Sequence, residues 1–107
     1  MKDMGAIMKQ AQQMQSRLAE AQEKLAAMTM VGTAGGDLVK VTLTGKNDLV
    51  SVEIAPDAID PDDAETLADL IVAAHADARR QLEAQQQSLM REAAGPLAGM
   101  KLPGLNL

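Results

Sequence analysis

The sequence predicts an α+β domain in which long N- and C-terminal helices flank a small antiparallel sheet, in the order α-β-β-β-α. Three patterns predict this fold class. The N-terminal quarter repeats apolar residues at intervals of three and four, as one face of a helix does. Two short central segments alternate apolar and polar residues around a polar turn, as a β-hairpin does. An acidic segment then precedes a second long stretch with helical spacing.

The first helix is predicted from about residue 3 to residue 28. Its apolar positions alternate between intervals of three and four, which forms one continuous stripe along a helix. These positions are Met4, Ile7, Ala11, Met14, Leu18, Ala21, Leu25 and Met28. Good helix formers occupy the positions between them. We therefore expect Leu18 and Leu25 to lie in the core or in a dimer interface.

The strands are predicted from residues 30–34, 38–44 and 49–55. The last two segments alternate cleanly, and residues 45–48 between them have the composition of a turn, so they form a hairpin. One face of this hairpin is apolar, and it comprises Val39, Val41, Leu43, Val50, Val52 and Ile54. Such a face must be covered by a helix or by another subunit. These six residues are therefore assigned to the core or to a dimer interface.

The second helix is predicted from Asp60 to residue 94. Asp60 suits the N-cap and Pro61 the first helical position, and Gly95 followed by Pro96 ends the helix. At about 1.5 Å per residue, helices of about 26 and 34 residues span about 40 and 50 Å. A three-stranded sheet is narrower, because strands lie about 4.8 Å apart. Part of each helix should therefore project beyond the sheet.

The 107 residues suit one domain, residues 1–94, followed by a tail, residues 95–107. Three Gly and two Pro in the tail predict a flexible segment. The chain contains no Phe, Tyr or Trp, which usually supply much of the buried area of a small domain. A core of this size without aromatic side chains gives limited stability to a monomer. The composition therefore favours an oligomer.

Composition also disfavours several classes of protein. With no Cys and one His, the chain offers few groups for catalysis or metal binding, so we predict no enzyme activity, no cofactor and no metal. An acidic stretch from Asp60 does not match a calcium loop, because its sixth and twelfth positions hold Glu65 and Ile71. No apolar run suits a signal peptide or a membrane span. We expect a cytoplasmic protein with neither a membrane partner nor a small-molecule substrate.

Cations and glutamines on the two helices are the main indication of a partner. The net charge of −5 by itself argues against nucleic acid, whose binding proteins are usually basic. An arc of about 80° on helix 1 contains Lys2, Lys9, Gln13, Arg17 and Lys24. One face of helix 2 contains Arg80, Gln87 and Arg91. Lys and Arg bind phosphates, and Gln bonds to phosphates or base edges, so these are candidate DNA contacts. The alternative is that both are simply solvated polar faces.

Five segments of the chain carry a family resemblance. In order, they are MKQAQQMQ (8–15), GDLVKVTLTG (36–45), VSVEIAPDAI (50–59), DPDDAETLADLIVAA (60–74) and GMKLPG (99–104). Together they resemble the YbaB/EbfC family of bacterial nucleoid-associated proteins. The resemblance implies an α-β-β-β-α protomer and a tweezer-like homodimer, with sheets paired at the centre and helices protruding. It also implies DNA binding and association with the nucleoid.

Two functional hypotheses follow. The first is a homodimeric nucleoid-associated protein that binds DNA mainly through phosphate contacts from its protruding helices, with low sequence specificity. Such a protein would act in nucleoid organisation or gene regulation. The alternative is a cytosolic adaptor that does not bind DNA. In that case the apolar stripe of helix 1 would pair with a partner helix, and the LPGL segment, residues 102–105, would be a docking peptide.

Overall fold

The protein forms two helices and three strands in the predicted order. The computed structural model describes residues 2–94, so the predicted tail, residues 95–107, lies outside the described residues. The elements are α1 (Lys2–Ala27), β1 (Thr29–Ala34), β2 (Val39–Thr44), β3 (Leu49–Ile54), a short 3-10 helix (Pro56–Ala58) and α2 (Ala64–Ala94). The α-β-β-β-α arrangement is therefore confirmed. The division into a domain and a flexible tail stays a prediction.

The three strands form one antiparallel sheet in the order β1-β2-β3. The turn between β1 and β2 uses Gly35 and Gly36 with φ angles of 65° and 64°, a region that favours glycine. The turn between β2 and β3 contains Asn47 with a φ of 69°, which asparagine tolerates better than most residues. The Thr44 amide donates to the Asp48 carbonyl at 2.8 Å and closes this turn. Both hairpins therefore use residues suited to left-handed backbone.

The core lies between α2 and the first two strands. Val39, Val41 and Leu43 of β2 point towards α2 and are fully buried. The helix contributes small side chains, Ala74 and Ala78, to the same cluster. Val39, Val41 and Leu43 thus account for the apolar side of the central strand.

Glycine permits a close approach between the sheet and both helices. Gly32 of β1 faces the α2 backbone, where an added Cβ would overlap the carbonyl oxygen of Ala74 and the amide nitrogen of Ala78. A Cβ added at Gly45 would likewise overlap the carbonyl group of Leu25, near the end of α1. The Gly45 amide also donates to the carbonyl of Met28 at 3.0 Å. Backbone contacts at these two glycines therefore hold the sheet against α1 and α2.

Strand β3 is not covered in the same way. Val52 lies opposite Val41, so its side chain points to the face on which α2 packs. The register shifts next to it, and Val50 is an extra residue without a direct partner in β2. Leu49 and Val50 are 58% and 59% exposed, and Val52 is 37% exposed, whereas Ile54 is half-buried. The predicted apolar face of the hairpin is therefore buried along β2 and largely open along β3.

The helices make the molecule long and narrow. The described residues extend over 73 × 28 × 16 Å, and the radius of gyration is 20.2 Å. A compact domain of about 100 residues has a radius of gyration of about 13 Å. The predicted projection of the helices beyond the sheet accounts for this difference.

The C-terminal half of α1 packs antiparallel to the C-terminal half of α2. Leu25 shares a groove with Leu89, and Arg17 shares another with Ala93, near the end of α2. Leu18 and Leu25 are half-buried along this contact. The first half of α1 extends about 20 Å further, beyond the last described residue of α2. Met4 and Ile7 on this half are 65% and 61% exposed, so only part of the predicted stripe is covered within the described residues.

Helix α2 begins later than predicted. Its first residue is Ala64, and the N-cap is Asp63 rather than Asp60. The Asp63 carboxylate accepts hydrogen bonds from the amide of Thr66 at 3.2 Å and from its hydroxyl at 2.6 Å. The Asp60 carboxylate instead accepts the amide of Asp62 at 3.0 Å and fixes the turn before the helix. Asp63 is the better cap because Thr66 supplies a second donor.

Candidate nucleic-acid interface

The α1 candidates form a polar strip along the exposed side of the helix. A shallow groove in this strip is lined by Lys9, Gln12, Gln13, Ser16, Arg17 and Glu20. Residues four apart lie on the same face of a helix, which brings Lys9, Gln13 and Arg17 together. All three side chains are exposed. Lys2 was predicted to extend this arc, but its side chain lies outside the described residues.

A second groove continues the strip towards α2. Arg17 and Lys24 line it from α1, and Leu89, Glu92 and Ala93 line it from α2. Because Arg17 belongs to both grooves, the strip is continuous from Lys9 to Lys24. We call these residues the α1 strip: Lys9, Gln13, Arg17 and Lys24. Its length is about 22 Å, which is similar to the axial rise of about six nucleotides of a duplex.

The cations of the α1 strip are available for a partner. Within residues 2–94, the two ion pairs both lie on α2. The Nη2 atom of Arg79 is 3.7 Å from Oε1 of Glu83, and the Nη2 atom of Arg80 is 3.5 Å from Oδ1 of Asp77. Acids are present near the strip, since Glu20 lines both grooves, but no described carboxylate forms an ion pair with its cations. The strip therefore presents three positive charges, unpaired within the described residues, and an amide to solvent, beside the exposed carboxylates of Glu20 and Glu92.

The α2 candidates lie elsewhere on the surface. Arg80, Gln87 and Arg91 are exposed, and helical geometry places them on the side of α2 opposite the buried Leu82. Neither groove of the α1 strip contains any of them. Arg80 also contacts Asp77, which lowers its availability. The protomer therefore does not bring the α1 and α2 candidates together on one surface.

The acidic residues are concentrated far from the α1 strip. Residues 60–77 contain six Asp or Glu and no Lys or Arg. Hydrogen bonds from the side chain and the backbone of Thr66 hold the pKa of Asp63 below its ordinary value of 3.8, so this carboxylate is ionised at neutral pH. Asp63 and Glu92 are separated by about 43 Å of helix, whereas salt screens charges beyond about 10 Å at 0.1 M. The net charge of −5 therefore says little about the potential at the strip.

Two groups of residues in the structure were missed by sequence reasoning. Gln12 and Ser16 line the α1 groove, and their spacing of three from Lys9 and Gln13 would have indicated them. Asp77 and Gln81 contact the free edge of β1, more than 40 residues away in the chain. No local pattern indicates that contact, because it depends on how α2 lies across the sheet.

Residues 2–94 show no sign of a metal site or of a membrane-spanning helix. No group of three or more His, Cys, Asp or Glu side chains in that range is arranged to hold a metal ion. Among the helices of the described part, none combines the length and apolarity needed to cross a membrane. The α1 strip is the site that the chemistry of the described surface favours for a charged partner.

Comparison with known proteins agrees with the sequence resemblance. A sequence model described as the YbaB/EbfC DNA-binding family matches residues 1–97. A nucleoid-associated protein of Caulobacter sp. (strain K31) is 56% identical over 107 residues, which cover 98% of each chain. One of Mycobacterium sp. (strain KMS) is 48% identical over 103 residues, which cover 96% of this chain and 94% of that one.

Among solved structures, the uncharacterized protein HP0035 from Helicobacter pylori has the same fold. The TM-score is 0.68 and the sequence identity 20%, with 89% of this chain and 97% of that chain covered. At this identity the likeness concerns the fold alone. The family model matches all the described residues, and this match and the close relatives decide the membership. The chain belongs to the YbaB/EbfC DNA-binding family.

Proposed function

We propose that this protein is a homodimeric, nucleoid-associated DNA-binding protein of the bacterial cytoplasm and has no enzymatic activity. The observation that carries the proposal is the exposed α1 strip, with three cations free of ion pairs among the described residues, in a member of this family. The names of its close relatives support association with the nucleoid. Its role would be in nucleoid organisation or gene regulation.

The composition of the α1 strip favours contacts to phosphates over contacts to bases. Lys9, Arg17 and Lys24 carry charge, and Gln13 alone offers a group suited to reading a base edge. Phosphate contacts carry no sequence information, so we expect low sequence specificity and strong dependence on salt. The projecting half of α1 is accessible from several sides, which allows it to lie along a duplex.

The open face of β3 supports the homodimer. Leu49, Val50 and Val52 are exposed along this strand. A second copy seated on β3 would bury this apolar surface and pair the two sheets at the centre. The helices would then protrude in pairs, as in tweezers.

Fluorescence anisotropy of a labelled duplex of about 30 base pairs, titrated at several salt concentrations, tests DNA binding. The wild type is compared with an Arg17→Glu, Lys24→Glu variant. The control is Lys40→Glu, Lys46→Glu, which changes the net charge equally but lies on the hairpin. We expect the wild type and the control to bind with a steep salt slope. The strip variant should bind more weakly with a slope that is flatter by about 0.9 per lost phosphate contact.

Two outcomes would contradict the proposal. Absence of binding by the folded wild type near about 50 mM salt would rule out DNA as the partner of this chain. Equal losses in the strip variant and in the hairpin control would show that net charge, and not the α1 strip, determines affinity.

The adaptor hypothesis is favoured by one observation, the exposed apolar side of the projecting half of α1. Met4, Ile7 and Met8 lie there without a covering element among residues 2–94. The proposed LPGL docking peptide lies outside the described residues. A partner captured by the full chain and lost on Ile7→Glu, with the oligomeric state unchanged and no DNA binding by the wild type, would support this function.

A further inference from the structure

The two edges of the sheet differ in what their backbone groups contact. On the β1 edge, the amide of Thr33 donates to the Oδ2 atom of Asp77 at 3.0 Å. The carbonyl of Val31 accepts a hydrogen bond from Nε2 of Gln81 at 2.8 Å. Gln81 Nε2 is also 3.5 Å from Asp77 Oδ2, so the two side chains support each other. We call Asp77 and Gln81 the edge pair.

The edge pair occupies two neighbouring groups that an incoming strand would need, the Val31 carbonyl and the Thr33 amide. In an antiparallel edge strand, every second residue directs both its amide and its carbonyl group away from the sheet. Val31 and Thr33 supply such groups at the middle of β1. Residues four apart on α2 face the same way, so Asp77 and Gln81 reach both groups from one helix. A strand that approached β1 would have to displace both side chains.

The opposite edge has no such cover. Among the side-chain hydrogen bonds of residues 2–94, none reaches the backbone of β3. The apolar side chains of Leu49, Val50 and Val52 are exposed beside that edge. An edge strand with free backbone groups and apolar side chains readily pairs with another chain. β3 is therefore open to a second copy, and β1 is closed.

We propose that the edge pair restricts self-association to β3, so that assembly stops at two copies. The inference rests on the proposed homodimer. Two copies joined through β3 about a two-fold axis place a β1 edge at each end of a six-stranded sheet. With both ends open, further copies would add and an open polymer would form. Each copy supplies its own Asp77 and Gln81, so both ends of the six-stranded sheet would be blocked.

The test removes the edge pair and measures cross-linking at each sheet edge separately. The test variant is Asp77→Ala, Gln81→Ala. The control is Arg79→Ala, Glu83→Ala, which removes an exposed ion pair of the same spacing from the same helix. Because the chain has no cysteine, Val31→Cys reports the β1 edge and Ser51→Cys reports the β3 edge. Both positions lie opposite Thr42, on the face turned away from α2.

Each reporter is treated with a short bismaleimide cross-linker, and sedimentation velocity measures the size of the assembly. In the wild-type and control backgrounds, we expect Ser51→Cys to give cross-linked dimers and Val31→Cys to give none. In the background without the edge pair, Val31→Cys should also cross-link. Sedimentation should then shift to species larger than two copies, and their fraction should rise with protein concentration.

The contrary result is a folded variant, with an unchanged circular dichroism spectrum, that stays at two copies and gives no cross-link at Val31→Cys. That result would overturn the role of the edge pair. A monomeric wild type without cross-links at Ser51→Cys would instead overturn the homodimer, and the Val31→Cys reporter would still decide whether β1 is closed. If the double variant does not fold, the single variant Gln81→Ala is used in its place, because this substitution by itself frees the Val31 carbonyl.

Discussion

At the scale of single residues, Gly32 sets the distance between α2 and the sheet. A Cβ at this position would overlap backbone atoms of Ala74 and Ala78, which cannot move aside as the end of a side chain can. The core contains no aromatic residue and depends on such close contacts between small residues. One methyl group at Gly32 would therefore push the helix away from the buried valines of β2.

We expect Gly32→Ala to lower the free energy of unfolding by about 1–3 kcal/mol or more, because overpacking forces the backbone to shift. Urea denaturation followed by circular dichroism measures the change. Gly5→Ala is the control, since nothing lies within 4 Å of a Cβ added at that exposed helical position. The control should stabilise α1 by about 0.5–1 kcal/mol, as alanine is the better helix former. A Gly32→Ala variant as stable as the wild type would show that the helix and sheet are not in contact there.

The Asp63 cap predicts a dependence of stability on pH. Hydrogen bonds from Thr66 lower the pKa of Asp63 in the folded state below 3.8, so the unfolded state binds its proton more readily. The stabilisation from this carboxylate is therefore complete above about pH 4 and is lost as the pH falls through the lowered pKa. The variant Asp63→Asn keeps a capping oxygen but has no charge to titrate.

The urea midpoints of the wild type and Asp63→Asn should differ at pH 7, with the wild type more stable. The difference should shrink as the pH falls below the ordinary pKa of 3.8. A difference that is constant from neutral to acidic pH would contradict the role of the ionised cap.

At the scale of elements, α1 consists of two halves with different surroundings. Its C-terminal half packs against α2, where Ala21 is buried, and its N-terminal half extends past the last described residue of α2. Isolated helical segments shorter than about 12–15 residues are marginally stable in water. The projecting half therefore depends on the packed half for its helical structure.

Amide hydrogen exchange tests this difference between the halves. Amides of residues 4–13 should exchange faster than those of residues 18–27, because local opening is easier where few apolar contacts must break. Mass spectrometry of peptides from the two halves measures the rates. Equal protection of both halves would show that another element covers the projecting half in solution.

Sequence periodicity predicted which elements form but not what covers them. The spacing from Met4 to Met28 correctly predicted one helix, yet only the half from Leu18 onwards meets α2, because the described part of α2, which ends at Ala94, does not extend along the rest. The alternation of β3 likewise matched a strand, while its exposure depends on where α2 lies. Asp63 rather than Asp60 caps α2 because the Thr66 hydroxyl donates to it, which the spacing alone does not predict. The edge pair contacts residues of β1 that are 44 and 50 positions away in the chain, so no local pattern predicts it.

The same limit applies to the candidate site. Helical spacing was sufficient to place Lys9, Gln13 and Arg17 on one surface, because one helix supplies all three. It was not sufficient to relate Arg80 or Arg91 to them, since that relation depends on how two helices pack. The assignment of individual residues to DNA stays a prediction.

At the scale of the whole molecule, the proposed homodimer through β3 would couple assembly to DNA binding. A dimer would carry two α1 strips, and a second strip binds more readily once the first is bound. We expect Val50→Glu, Val52→Glu to produce monomers, because the charges would be buried in the interface. Analytical ultracentrifugation measures the mass, and the anisotropy titration should show weaker DNA binding.

The matched control places the same charges on the closed edge of the sheet. Val31→Glu, Thr33→Glu should remain dimeric and keep its DNA affinity, because β1 lies away from the proposed interface. The homodimer through β3 would be contradicted if the β3 variant stayed dimeric, or if both variants dissociated to the same extent.

The projection of α1 past α2 also divides the strip into a fixed part and an adaptable part. Arg17 and Lys24 stand beside Leu89 and Ala93, so two helices determine their positions. Lys9 lies on the part of α1 that extends past the last described residue of α2. If the α1 strip binds DNA as proposed, bending of this projecting part would let Lys9 follow the phosphates of an irregular duplex while Arg17 and Lys24 keep their positions. Such a protein would tolerate variation in DNA shape as well as in sequence.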